Sequence, residues 1–520
     1  MKRRLLASLL TLVMMLSLLP TAVWARDTGS GGSQETEDIA EPAPKSGEGE
    51  TPQEAAKSVE LDLADGSIVI SATGYTQYKE SGNVSEDSDN GNYTIKQTNS
   101  TTATTNTITV TGGTHKITLN GVNIDVSNAS LCAFAIESGE VKLVLADGSE
   151  NTLKSGWINE DNADTGISYA GLWVQEQAQV VIDGDTGRLT AVGGGSGSSQ
   201  LGNTSLAAGI GASRAHASNK NDPWKSNVGT ITIKGGVITA TGSAAGTYGG
   251  AGIGGGNNNS EIIVNGGKVI ATSGKTDGNS RGAAGIGSAY SQGGEKTVTI
   301  TGGEVTATGN SAGIGGGAYR DAGTILITGG TVTAISTSAG AGIGGGGGDW
   351  PGDNMGVNGS ITITGGTVIA QGGPYGAGIG GGGWKNQAGN NAGAQASGKI
   401  TISGGTVTAT GGEYAPGIGS GAMLTHKNSA NEDRTVDPQS GKMGTITISG
   451  GSVEAKNGDS FVQESVESTG NSYKVLDDSG DLTVDSGIGQ GMNASDDSQA
   501  AFAGWTLKDG NGETIIAVEE

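Results

Sequence analysis

The sequence predicts an all-β protein, namely a right-handed, single-stranded parallel β-helix built from glycine-rich coils. Three observations predict it. The 520 residues include 99 glycines and only 4% aromatics, which excludes a conventional core of large side chains. From residue 229 onward a three-part phrase recurs: an I-T-I segment ending in Gly-Gly, then V-T-A-T, then A-G-I-G. Each part alternates apolar and polar residues, which is the period of a strand.

Short strands of this kind cannot bury their inner faces alone, but stacked coils can. Stacking places equivalent residues of successive repeats above one another, about 4.8 Å apart. The recurring Gly-Gly pairs start 27 to 46 residues apart, at positions 235, 266, 302, 329, 365, 404 and 450. The phrase G-I-G recurs at 252–254, 285–287, 313–315, 342–344, 378–380 and 417–419, with a decayed form at 486–491. Glycine is expected at the corners, because positive φ and close backbone approach favour it there.

The N-terminal residues predict export. Lys2, Arg3 and Arg4 precede an apolar run that ends in "AVWA", so residues 1–25 are interpreted as a signal peptide. Residues 26–58 are rich in Gly, Pro, Ser and Glu and are predicted to form a disordered acidic linker.

The remaining chain divides by regularity of the repeat. The β-helix is predicted over 59–457, with irregular coils over 59–200 and regular glycine-rich repeats over 201–457. Residues 458–520 are predicted to form degenerate C-terminal coils or a cap.

Charge restricts the partners. Without the signal peptide the chain keeps 26 basic residues against 52 acidic ones, a net charge of −26. This excess disfavours nucleic acid and anionic membranes, and no membrane insertion is expected after signal cleavage. The predicted localisation is secreted, with association to a cell surface left open.

The segments "ITLNGVNI", "VKLVLADGSENTLKSG" and "VVIDGDTGRLTAVGG", within residues 107–200, resemble the carbohydrate-binding β-helix domains of clostridial cell-surface and secreted proteins. The resemblance implies a right-handed parallel β-helix that binds acidic plant polysaccharide and carries calcium ions. Asn-Thr-Leu after a turn is the signature that this chain shares with the family.

Aromatic residues cluster in the variable loops that follow G-I-G. We interpret five of them as candidate carbohydrate-binding residues, because aromatic rings stack on the C–H faces of sugars. The alternative is that each loop folds one aromatic ring down to cover its own coil. The candidates are Trp350, Trp384, Trp224, Tyr319 and Tyr290. Tyr248, Tyr375 and Tyr414 lie in the preceding corner.

Calcium is the one cofactor that the sequence suggests. Asp183 and Asp185 in "DGDTG", and Asp349 and Asp353 in "DWPGDN", could supply oxygen ligands. The alternative is that Asp followed by Gly forms an ordinary turn.

The residues predict no enzyme, since neither a paired-carboxylate site nor a histidine in a pectinase-like setting is evident. The leading hypothesis is non-catalytic polysaccharide binding through the loops on one edge. A structural or adhesin-type surface stalk is the first alternative, and a polysaccharide lyase or glycoside hydrolase is the second.

Overall fold

In a computed structural model of the chain, the described residues are 58–86, 91–157, 167–195, 207–215, 227–245, 248–256, 258–274, 282–290, 296–348, 359–385, 398–413, 415–421, 423–424, 446–456, 473–475, 482–484, 488–489, 506–508 and 514–517. Nearly all of their regular structure is strand. Within these ranges one short 3₁₀ turn, Leu63–Asp65, is the sole helical element.

Each coil of the regular region contributes three strands, which define three faces of the solenoid. Face 1 takes the I-T-I segments, as Thr230–Ile233, Ser260–Val264, Lys296–Ile300, Thr324–Ile327 and Ser360–Ile363. Face 2 takes the V-T-A-T segments, as Val237–Thr241, Lys268–Thr272, Glu304–Gly309, Thr331–Ser336 and Thr367–Gln371. In the last two coils faces 1 and 2 are continuous, as Lys399–Thr410 and Ile446–Lys456. Face 3 takes G-I-G, as Ile210–Gly211, Ile253–Gly254, Ile286–Gly287, Ile314–Gly315, Ile343–Gly344, Ile379–Gly380, Ile418–Gly419 and Ile488–Gly489.

Successive coils pair in parallel and in register. On face 2, Val305 pairs with Val332, which pairs in turn with Val368. On face 3, Ile314 pairs with Ile343. The segment at 486–491 keeps the pattern, because Ile488–Gly489 pairs with Ile418–Gly419. The repeated segments therefore form a parallel β-helix, which confirms the fold predicted from the sequence.

The core is a set of stacked aliphatic columns inside the coil. Outward residues of faces 1 and 2 are mainly threonine, whereas inward residues are almost completely buried. Alanine in the face 2 column keeps the cross-section narrow, so the coil needs no large aromatic filler. The inward columns include Val269, Val305, Val332, Val368 and Val407, then Ala271, Ala307, Ala334, Ala370 and Ala409, then Ile286, Ile314, Ile343, Ile379 and Ile418.

The glycine of face 3 is required by both conformation and space. Gly344 has φ +140°, and a Cβ built on it would lie 1.9 Å from the carbonyl oxygen of Gly380 in the next coil. Gly315 repeats this arrangement against Gly344, at 2.2 Å. Only a residue without Cβ lets the coils approach this closely.

The irregular coils precede this stack and follow the same plan. Their face 1 strands are Val59–Asp62, Asn92–Lys96, Thr114–Asn120, Gly139–Leu145 and Ala178–Asp183. Their face 2 strands are Asn123–Asp125, Glu150–Lys154 and Arg188–Val192, and their face 3 strands are Ile108–Val110, Phe134–Ile136 and Leu172–Val174. Gly66–Ser71, Gly74–Lys79 and Val84–Glu86 form an antiparallel meander at the start of face 3.

Shorter pairs complete the described structure. Ile167–Ser168 pairs with Arg214–Ala215, Ala244–Ala245 with Tyr248–Gly249, Trp384–Lys385 with Met423–Leu424, Tyr473–Val475 with Leu482–Val484, and Thr506–Lys508 with Thr514–Ala517. In the part of the chain that the structure describes, no helix has the length and apolar character needed to cross a bilayer.

Candidate functional site

Three tyrosines from successive coils contact one another: Tyr248 lies in the corner before G-I-G, and Tyr290 and Tyr319 lie in the segments after it. The ring centroids of Tyr248 and Tyr290 lie 4.8 Å apart, and those of Tyr290 and Tyr319 lie 5.7 Å apart. Both pairs meet edge to face, which is a favoured geometry for aromatic rings. The fold therefore brings Tyr290 and Tyr319 together, two of the candidates selected from sequence.

The three rings differ in exposure. Tyr248 and Tyr290 are partly exposed, whereas Tyr319 is only 5% exposed. Tyr319 has φ +64°, a left-handed conformation that is uncommon for a residue with a side chain. A Cβ built on Gly348 of the next coil would lie 2.6 Å from the Tyr319 ring, so this ring covers the glycine. Tyr319 thus follows the alternative left open by the sequence, in which an aromatic covers the coil.

Backbone hydrogen bonds show which residues of the following coils occupy the position of Tyr319. The Tyr319 N–H donates to Gly347 O at 3.1 Å, and the Gly348 N–H donates to Gly383 O at 3.2 Å. In a parallel ladder this pattern aligns Tyr319 with Gly348 and Gly348 with Trp384. Trp384 in turn pairs with Met423. Trp384 therefore stands, by its backbone, in the column that Tyr319 occupies.

The corner that precedes G-I-G reaches the same edge. A Cβ on Gly383 would lie 1.9 Å from the carbonyl oxygen of Tyr375, so the Tyr375 corner packs directly beside the residue preceding Trp384. One coil earlier, Ala339 lies beside Gly347 in the same manner. Tyr375 is partly exposed, and burial, followed by the negative charge of Glu413, raises its pKa.

We call the positions of Tyr248, Tyr290, Tyr319, Tyr375 and Trp384 the aromatic strip. Tyr248 and Tyr375 join it although the sequence ranks neither as a site residue. The signal that could have identified them is their shared place, a few residues before the G-I-G of their own coils. Two further candidates, Trp224 and Trp350, lie outside the described residues.

The acidic candidates are placed separately. Asp183 Oδ2 forms an ion pair with Lys142 Nζ at 3.2 Å, and Asp183 Oδ1 accepts from the Gly184 N–H at 3.0 Å. Asp185 is exposed in the turn that follows. Asp349 and Asp353 fall outside the described residues. Within the ranges that the structure does describe, no group of three or more His, Cys, Asp or Glu side chains is placed to hold a metal ion.

A buried lysine lies near the aromatic strip. Lys296 is 1% exposed, and its ammonium donates to the carbonyl oxygens of Gly256, at 3.2 Å, and Asn258. Burial, and then the positive charge of Arg320, lower the pKa of Lys296 to about 8. Strand alternation could have identified this residue, because Lys296 shares the inward side with Val298 and Ile300.

The Asn-Thr-Leu signature has a structural explanation. Asn151 is 1% exposed, and its Oδ1 accepts from the N–H groups of Gly121, at 3.1 Å, and Val122, at 3.0 Å. Its Nδ2 donates to Ser149 Oγ and to Arg188 O, at 2.9 and 3.0 Å. One amide therefore connects three coils at a corner, and the signature itself implies no ligand.

Cys132 and Trp173 pack in a hydrophobic cluster, which indicates a structural role for both residues. Both belong to a small cluster with Ala135 and Ala170, and Trp173 is 5% exposed. Burial raises the pKa of the Cys132 thiol to about 12, so the thiolate that reactive cysteines require is disfavoured.

The protein is therefore a parallel β-helix, and the positions of the aromatic strip lie along one of its edges. Seven segments match a family model described as a β-helix repeat: residues 231–257, 262–290, 298–318, 325–347, 361–383, 400–422 and 446–489. All seven matches begin at one register position of face 1, that of Ile231 and Ile262. No curated protein and no solved structure has significant similarity to the chain.

Proposed function

We propose that this protein is a secreted, non-catalytic β-helix that binds extracellular polysaccharide along the aromatic strip. One observation carries the proposal: aromatic residues from separate coils converge on the single edge from which the variable loops leave. Aromatic rings with one exposed face bind the apolar faces of sugars, and Tyr248, Tyr290 and Tyr375 are each partly exposed.

An acidic plant glycan is the ligand class we propose first. The family resemblance supports it, and so do the basic residues next to the strip. Arg320 follows Tyr319 directly, and Lys385 follows Trp384. Basic residues at these two positions would locally offset the mature chain's net charge of −26, which by itself disfavours a polyanion.

The test is retention on a panel of immobilised acidic and neutral polysaccharides. The double variant Trp350→Ala/Trp384→Ala should lose at least tenfold in affinity, which corresponds to about 1.4 kcal/mol. Tyr78→Ala is the matched control, because Tyr78 is 51% exposed on the N-terminal meander and away from the strip in sequence. A double variant that binds like the parent would contradict the role of the tryptophans. A parent that binds no polysaccharide would favour the surface-stalk alternative.

Calcium is proposed as an accessory ion at Asp183 and Asp185. If one ion binds only the folded chain, a hundredfold excess over Kd stabilises it by about 2.7 kcal/mol. Millimolar calcium should therefore raise Tm above its value in chelator, and Asp183→Asn/Asp185→Asn should abolish the shift. Equal Tm values for the parent under both conditions would remove calcium from the proposal.

A further inference from the structure

The aromatic strip runs along the solenoid axis, and this direction indicates how a ligand lies on the protein. We infer that the strip binds a linear, unbranched glycan in mid-chain, running parallel to the solenoid axis across the partly exposed rings of Tyr248, Tyr290 and Tyr375. This inference rests on the proposed polysaccharide-binding function and specifies the shape and length of its ligand.

The strip follows the axis because its members come from successive coils. Tyr248, Tyr290 and Tyr319 belong to the coils whose face 3 isoleucines are Ile253, Ile286 and Ile314, and these pair consecutively. Adjacent coils are about 4.8 Å apart. The direct ring contacts at 4.8 and 5.7 Å follow that repeat.

The strip is long enough for several sugars. Tyr375 belongs to the coil of Ile379, which is two coils beyond that of Ile314. Tyr248 and Tyr375 are thus separated by four coil steps, or about 19 Å along the axis. An extended chain of pyranose rings advances by a similar distance per ring, so about five sugars would cover this length.

The crosswise orientation has much less support. Within one coil, a ligand lying across the edge would meet only the corner before G-I-G and the segment after it. In the coil of Ile343 those two places hold Ala339 and Gly348, which offer no ring. Among the described coils, only that of Ile379 holds an aromatic residue at both places, Tyr375 and Trp384, whereas Tyr248, Tyr290, Tyr319 and Tyr375 come from four coils. The longer aromatic path therefore runs along the axis.

The length of the ligand provides the test. Isothermal titration of the mature chain would use linear oligomers of α-1,4-galacturonate and of β-1,4-glucose, each one to eight units long. Affinity for the bound series should rise about fivefold at each length where an added sugar reaches a further exposed ring, and it should reach a plateau near five units, which span Tyr248 to Tyr375. Tyr248→Ala removes one end of the strip, so the plateau should move to about four units. Tyr78→Ala should leave the parent profile unchanged.

The outcomes separate this inference from the function on which it rests. A polymer that binds while affinity reaches its plateau at one or two units would overturn the axial arrangement and leave polysaccharide binding intact. An unchanged plateau in Tyr248→Ala would overturn it as well. If neither the polymers nor their oligomers bind, the proposed function and the inference fail together.

Discussion

Replacing Gly344 with alanine should destabilise the coil stack far more than a surface glycine substitution does. The new Cβ would stand 1.9 Å from the carbonyl oxygen of Gly380 and 2.9 Å from its carbon. Relieving this overlap requires the two coils to separate locally by about 1 Å, because packed backbone has no room to yield otherwise. The bonds at risk are Ile343 N–H to Gly378 O, at 2.9 Å, and Gly345 N–H to Gly380 O, at 2.8 Å.

The expected loss can be estimated from these two effects. Holding a non-glycine residue at φ +140° costs about 2 kcal/mol. Weakening two coil-to-coil hydrogen bonds adds about 1 kcal/mol each. Gly344→Ala should therefore lower the free energy of unfolding by about 4 kcal/mol, a large share of the stability of an ordinary domain.

A control variant separates the cost of the backbone conformation from the cost of the steric overlap. Gly148 also has positive φ, +69°, but a Cβ built on it meets no atom within 4 Å. Gly148→Ala should cost about 1 kcal/mol, from the conformation alone. Guanidinium denaturation followed by far-ultraviolet circular dichroism measures both variants. Equal stability of Gly344→Ala and Gly148→Ala would refute the close-approach argument.

Three further predictions concern buried groups. Val332→Asp places a charge in a fully buried column, so thermal denaturation should show a loss of several kcal/mol, and a stable variant would contradict the inward assignment. Asn151→Leu leaves the buried Val122 N–H and the partly buried Gly121 N–H unpaired and should cost about 3 kcal/mol in the same assay; a loss below 1 kcal/mol would mean that water replaces the amide. Lys296 has a pKa of about 8 in the folded chain against 10.5 ordinarily, so protonation opposes folding below pH 8. Stability should rise by about 3 kcal/mol between pH 8 and pH 10.5, and Lys296→Met, compared by denaturation at each pH, should lack this rise.

Much of the solenoid could be predicted from the sequence, because in-register stacking imposes one residue type on one position. The columns that contain Val332, Ala334 and Ile343 are visible as repeated letters, and their burial follows from alternation. Gly-Gly and G-I-G likewise mark the corners, since only glycine meets both the conformational and the spatial demand there.

The aromatic edge was less predictable, for a physical reason. Tyr375 and Gly383 come together because a glycine-rich corner folds back on the segment after face 3. Glycine corners have no alternation that would reveal such a fold. Loop length also differs between coils, so the alignment of Tyr319 with Trp384 becomes evident only from the hydrogen bonds through Gly348. The burial of Tyr319 depends on the lack of a side chain at Gly348, and the spacing of residues in the sequence does not reveal this contact.

The strict register of the coils has a consequence for how such a gene can change length. Thr297 pairs with Thr324, and Val305 pairs with Val332, so the chain returns to an equivalent point after each repeat. Excising residues 297–323 would join Lys296 to Thr324, which is equivalent to Thr297. The shortened chain would therefore continue the coil with every inward residue still facing inward. Unequal recombination between repeats can therefore shorten or lengthen this protein by whole coils. Selection could in this way adjust its reach in single steps while its cross-section remains constant.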